Sequence, residues 1–120
     1  MTIEPESNRS AAPAAFKRTE LQRFPSQIPG WEIVQSLAEI PESVASGRHS
    51  HPGHEVGYIV RGDVGMEFDD RPTLTLRTGD PFVIPPGVIH NARNIGTVTT
   101  KMLSTYVVDE TQPLATLFDE

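Results

Sequence analysis

His49-Ser50-His51-Pro52-Gly53-His54-Glu55, with Gly62 behind it, and Gly79 through Pro85-Pro86-Gly87-Val88-Ile89-His90 to Asn94 are the two stretches that decide how this chain is read. Side chains on an extended strand alternate faces, so His49 and His51, two apart, project together. Pro52-Gly53 is a turn signal, since proline presets φ and glycine tolerates positive φ. Such a turn lets the chain double back so that Glu55 rejoins the two histidines. Glu55 opens the run Glu55-Val56-Gly57-Tyr58-Ile59-Val60, rich in β-branched and aromatic residues and stopped by Arg61-Gly62-Asp63. The carboxylate is therefore expected on one arm of a hairpin. His90 follows Asp80-Pro81-Phe82-Val83-Ile84 and a corner of two prolines and a glycine, which gives up two backbone donors and fixes φ twice. Such a corner can aim His90 into a barrel. Three imidazoles and one carboxylate form an N/O ligand set that a divalent first-row metal accepts without thiolate, and the chain has no cysteine to offer.

These residues resemble the two motifs of the cupin superfamily, G-x5-H-x-H-x(3,4)-E-x6-G and G-x5-P-x-G-x2-H-x3-N. His49, His51, Glu55 and Gly62 match the first; Gly79, Pro85, Gly87, His90 and Asn94 match the second at every defined position. Ser43 stands where the leading glycine of the first motif belongs, a departure that touches the backbone approach to His49 and not the ligands. A match spaced over so many positions is far more specific than an isolated His-x-His, which by itself reads as two solvated imidazoles. The resemblance spans roughly residues 30 to 110. It implies an all-β fold, the cupin-type double-stranded β-helix or jelly-roll barrel, with His49, His51, Glu55 and His90 as ligands of one divalent transition metal ion: iron, manganese, nickel, copper or zinc.

Composition agrees. A chain of 120 residues is enough for one core and leaves no room for a second domain. Eleven prolines and nine glycines against 37% hydrophobic residues suit short strands and turns better than long helices. Residues 1–15, polar and alanine-rich with no period, are expected to be a flexible tail, and residues 16–120 a single barrel domain. The net charge of −6 would repel a phosphate backbone, which argues against nucleic acid. No segment has the apolar length of a membrane span, and the N-terminus lacks a signal peptide's basic start and apolar core, so the cytoplasm is the expected compartment.

Strands are expected at Phe16 to Leu21 (ending before Phe24-Pro25), Trp31 to Val34, Glu55 to Val60, Val64 to Asp69, Thr73 to Arg77, Pro81 to Ile84, Ile89 to Arg93 and Val98 to Val108. Their spacing of about ten residues marks a sandwich or barrel. With Glu55 and His90 inward, the period of two also turns Gly57, Ile59 and Ala92 inward, and the small ones leave space near the metal. Val64, Met66 and Phe68, and Thr100, Met102, Ser104 and Tyr106, face in by the same rule, with Glu67 and Lys101 outside. His54 falls on the opposite face from Glu55 and is expected at the turn surface; Asn94 reads as a turn-former. Arg48 and Arg93 fall out of phase with His49 and His90, and no other cation is read as inward, so a substrate carboxylate is expected to lack a partner.

The resemblance implies many activities, because fold alone does not choose among them. The leading expectation is a small metal-dependent enzyme, oxidoreductase or dioxygenase-like, acting on a small oxygenated organic compound. Isomerase or lyase chemistry stays open, and Glu55 carries a second possible role as a base. The rival expectation is a non-catalytic small-molecule binding or sensing module, since no second acid/base pair or cofactor motif is evident. Small relatives of this kind commonly pair, which implies a homodimer.

Overall fold

The computed structural model describes residues 15–119, so the expected tail over residues 1–15 lies, Ala15 excepted, outside the described residues. The described chain forms ten strands and no helix: β1 (Lys17–Pro25), β2 (Trp31–Ile40), β3 (His49–Ser50), β4 (Gly53–Arg61), β5 (Asp63–Phe68), β6 (Leu74–Arg77), β7 (Pro81–Ile84), β8 (His90–Asn94), β9 (Thr100–Asp109) and β10 (Thr116–Leu117). They make two antiparallel five-stranded sheets, ordered β1-β2-β9-β4-β7 and β10-β3-β8-β5-β6. The all-β double-stranded β-helix expected from the sequence is the fold observed.

Alternation sets the core. Along β4, Gly53, Glu55, Gly57 and Ile59 are buried while His54, Val56, Tyr58 and Val60 are exposed; along β9, Thr100, Met102, Ser104, Tyr106 and Val108 are buried. The main apolar cluster draws Ala38, Ile40, Ile59, Phe82, Ile84 and Met102 from the larger sheet and Val64, Met66, Leu76 and Ala92 from the smaller, so the two inner faces pack on each other. A smaller cluster of Val34, Tyr106 and Val108, with Leu114 against it, lies on the larger sheet.

Three local expectations are corrected. His49-His51 and Glu55 do not sit on one hairpin: β3 pairs with β8 and β10 in one sheet, β4 with β7 and β9 in the other. His51-Pro52 is thus a corner between sheets. Gly53 is already paired with Val108 there, and a Cβ on it would lie 1.9 Å from the Val107 carbonyl oxygen, which is why that position takes glycine. Second, β1 runs on to Pro25 through a bulge at Leu21, because as an edge strand it can hold a proline with no donor to give. Third, Gly57 opens no space beside the site. The Phe82 ring fills it, 2.1 Å from where a Cβ would stand.

The position where the motif glycine is missing is informative. Ser43 has φ +67°, the one non-glycine residue in the left-handed region among those described. The backbone shape the glycine would supply is kept, and serine bears its steric cost.

Candidate metal centre

The smaller sheet delivers the histidines. His49 on β3 and His90 on β8 are direct cross-strand partners, and His51 follows at the corner after β3. All three are buried, and one ligand atom from each lies within 4.8 Å of the others. The Pro85-Pro86-Gly87 corner locks the two motifs together, since the Gly87 amide donates to the His51 carbonyl at 3.0 Å.

Each imidazole has its Nδ1 on a backbone carbonyl: His49 on Gly47 at 2.6 Å, His51 on Leu114 at 2.7 Å and His90 on Val88 at 2.9 Å. A carbonyl only accepts, so Nδ1 carries the proton and Nε2 of each neutral ring presents a lone pair. Gly47 is itself held, its amide donating to the Asn91 side-chain oxygen at 2.9 Å.

The larger sheet delivers Glu55 on β4. Its Oε1 stands 3.2 Å from His51 Nε2 and 3.4 Å from His90 Nε2, while Oε2 accepts a 2.7 Å hydrogen bond from the Ser104 hydroxyl on β9. His51 Nε2 and Glu55 Oε1 are buried with no hydrogen-bond partner. Lone pairs brought together without a donor are costly in a protein interior, and a cation placed among them removes the cost. Three histidines so oriented can hold a metal ion; Glu55 stands outside that group of three, with its Oε1 beside His51 and His90.

Electrostatics follow from burial. Desolvation, with the neighbouring His90 adding to it, pulls the His49 pKa down to about 3, so the ring stays neutral far below its ordinary range. Burial pushes the Glu55 carboxyl up; positive charge on the imidazole side, as on His51 and His90 when they are protonated, outweighs burial and draws it below its ordinary value. Burial and the Glu55 charge push the Tyr106 hydroxyl up to about 12; its ring packs on His51 with centroids 4.6 Å apart.

The four sequence-read ligand candidates therefore lie together, and His54 is exposed on the outer face, as its phase required. Asn94 does more than turn the chain: its amide nitrogen donates to Ile40 and Val98 and its oxygen accepts from Gly96. Ser104 and Tyr106, inward by the period of two, take part in the site, the first through its hydrogen bond to Glu55 and the second by packing on His51. The site side of the barrel opens on a cavity of about 10 Å³, room for roughly one water, lined by His49, Glu55, His90, Tyr106, Met66, Met102 and their neighbours. The expectation that no cation points inward fails. Arg18 of β1 lies opposite Ala38, shares its inward face and lines the same cavity.

The family model described as Cupin domain matches residues 36–106. A germin-like protein, subfamily T member 3, from Arabidopsis thaliana is 42% identical over 67 residues, which cover 52% of this chain and 29% of that protein. The chain thus spans less than a third of the length of this relative. Among solved structures, a conserved double-stranded β-helix protein of unknown role from Klebsiella pneumoniae superposes with a TM-score of 0.74 at 15% identity, covering 91% of this chain and 89% of the other. An oxalate oxidase in complex with the substrate analogue glycolate superposes at 0.70 with 20% identity, over 90% of this chain and 57% of that one. At these identities the structural likeness is one of fold.

Proposed function

The chain belongs to the cupin family, and on that premise we propose that it is a small metal-dependent enzyme, of the oxidoreductase or dioxygenase kind, acting on a small oxygenated organic compound. One observation carries the reading: three Nε2 lone pairs and the Glu55 Oε1 converge while every Nδ1 is engaged elsewhere. In this reading His49, His51 and His90 through Nε2, and Glu55 through Oε1, hold one divalent ion from the set iron, manganese, nickel, copper and zinc. Such an ion supplies Lewis-acid activation of a ligated oxygen and, zinc excepted, one-electron chemistry.

The protein's own residues do the rest. Ser104 holds the far oxygen of Glu55 and keeps its near oxygen on the histidines. Tyr106, Met66 and Met102 wall the cavity and limit water in it. Glu55 has an alternative duty as the base that takes a proton from the substrate. Glu55→Gln separates the two, since metal lost with the carboxylate marks a ligand, and metal kept while turnover vanishes marks a base. The oxalate oxidase shares this fold, so a barrel of this kind can host such chemistry.

The test is oxygen consumption and product formation by protein loaded with each ion in turn, over a panel of small hydroxy-, oxo- and phenolic compounds. Turnover that depends on one ion is expected. Binding without turnover for every ion favours a sensing module.

A homodimer belongs to the same proposal. Ile33, Val56, Tyr58, Val83 and Val107 put exposed apolar side chains on the outer face of the larger sheet, a surface suited to a second copy. Light scattering on a size-exclusion column should give twice the chain mass. No helix among the described residues is long and apolar enough to cross a membrane. The cytoplasm is the compartment proposed, and cell fractionation tests it.

A further inference from the structure

We propose that Arg18 is the specificity-determining residue of the cavity and that it selects small carboxylates bearing a hydroxyl or oxo oxygen beside the carboxylate, with the guanidinium taking the carboxylate and the histidine end taking the other oxygen. The inference deepens the metal-enzyme reading and rests on it for the second contact only.

Arg18 stands apart from the other arginines of the described chain. Arg23 pairs with Glu20 and Glu32, Arg48 with Asp69, Arg71 with Asp70, Arg77 with Asp63 and Arg93 with Glu67. Arg61 lies exposed on the surface. Arg18 makes no ion pair among the described residues, and its Nε is buried without a hydrogen-bond partner. A guanidinium is always charged and carries five donors in a planar fork, so a buried donor on it with nothing to receive it is costly unless a ligand completes the contact.

Its placement is set by the sheet. β1 pairs Arg18 with Ala38, β2 pairs Ala38 with Met102, and the three line the cavity together with His49, Glu55, His90 and Tyr106. Ala38 is small enough for the arginine stem to lie across it, and the guanidinium stacks over the Phe16 ring, 5.1 Å from its centroid. The one carboxylate in the cavity wall, Glu55, is turned to the histidines and to Ser104. Arg18 thus faces the cavity with no carboxylate against it, the Tyr106 hydroxyl being its polar neighbour there. A planar carboxylate matches its fork, and the cavity, with room for about one water between Arg18 and the histidines, limits the ligand to a short molecule whose donor ends alone reach in from the open side.

The probes are lactate and its neutral isostere lactamide, titrated calorimetrically into full-length zinc-loaded protein, zinc being chosen because it allows no redox turnover. Metal content is measured on every sample. Arg18→Gln should weaken lactate about tenfold or more, a loss in the range of a charge-assisted hydrogen bond, and change lactamide by less than about twofold. Arg18→Met, which keeps the stem over Ala38 and Phe16, should do the same with wild-type zinc content, and serves if the glutamine variant does not fold. Lactate binding that is equal in wild type and variant, that falls in step with lactamide, or that is absent from wild type overturns the proposal. Wild-type protein that holds no zinc contradicts the metal reading, and the lactate difference between wild type and variant in that metal-free protein still decides the role of Arg18.

Discussion

The two sheets furnish the site in different ways. The smaller sheet presents three imidazoles fixed by backbone carbonyls, at Gly47, Leu114 and Val88. The larger presents one carboxylate fixed by a side chain, Ser104, with Tyr106 and Arg18 near it. Backbone carbonyls come with the fold, so the histidine half is pre-oriented as soon as the strands pair. A hydroxyl can be replaced without disturbing a strand, so the carboxylate half is the adjustable one.

The histidine half should govern the largest response, which is to acid. His49 titrates near 6.5 in the unfolded chain and near 3 in the folded one. Between those values the unfolded state binds more protons, so the stability of the metal-free protein is full above pH 6.5 and falls as pH drops towards 3. Urea unfolding at pH 7.5 and 4.5 should differ by a few kcal/mol, on the order expected for a buried neutral histidine. His49→Gln should flatten the dependence, and an equally steep profile in that variant would count against the assignment.

At the corner joining the halves, Gly53→Ala should cost about 3 kcal/mol, the upper range for overpacking, because the new Cβ meets backbone at Val107 and not a movable side chain. A loss under about 1 kcal/mol in chemical denaturation would show that β4 and β9 can part there. In the carboxylate half, Ser104→Ala should weaken metal binding roughly 10- to 100-fold with the fold intact, since Glu55 loses the partner that orients it. Unchanged affinity in a competitive chelator titration would mean that packing alone aims the carboxylate. The smallest effect is expected at Ser43→Gly, a gain of about 0.5–1 kcal/mol from relief of the left-handed backbone. A loss of stability would show that the Ser43 side chain contributes something its φ does not reveal.

The sequence disclosed these halves unequally, for a physical reason. The spacing of the two family motifs, and not local geometry, groups His49, His51, Glu55 and His90: no hairpin forms at Pro52-Gly53, and His90 reaches the others by pairing with His49 across strands. The inward phase of β4 and β9 was legible because apolar and polar residues alternate there. What was not legible depends on pairing between distant strands. The exchange of β3 and β4 between sheets leaves no local mark beyond Pro52-Gly53, which reads equally as a hairpin turn. Arg18 was missed because a charged residue is ordinarily the outward marker of a strand's phase; only its register opposite Ala38 turns it inward. The local sign was Phe16, two residues away on the same face, placing Arg18 in phase with an apolar position.

The most direct test of the convergent histidines and Glu55 is elemental analysis of tag-free protein purified without added metal, beside a His49→Ala/His90→Ala double variant. Roughly one equivalent of iron, manganese, nickel, copper or zinc in the wild type, and none in the variant, is the expected result. No stoichiometric metal in the wild type after anaerobic reconstitution with each ion, or equal metal in the variant, would contradict a metal centre at these residues.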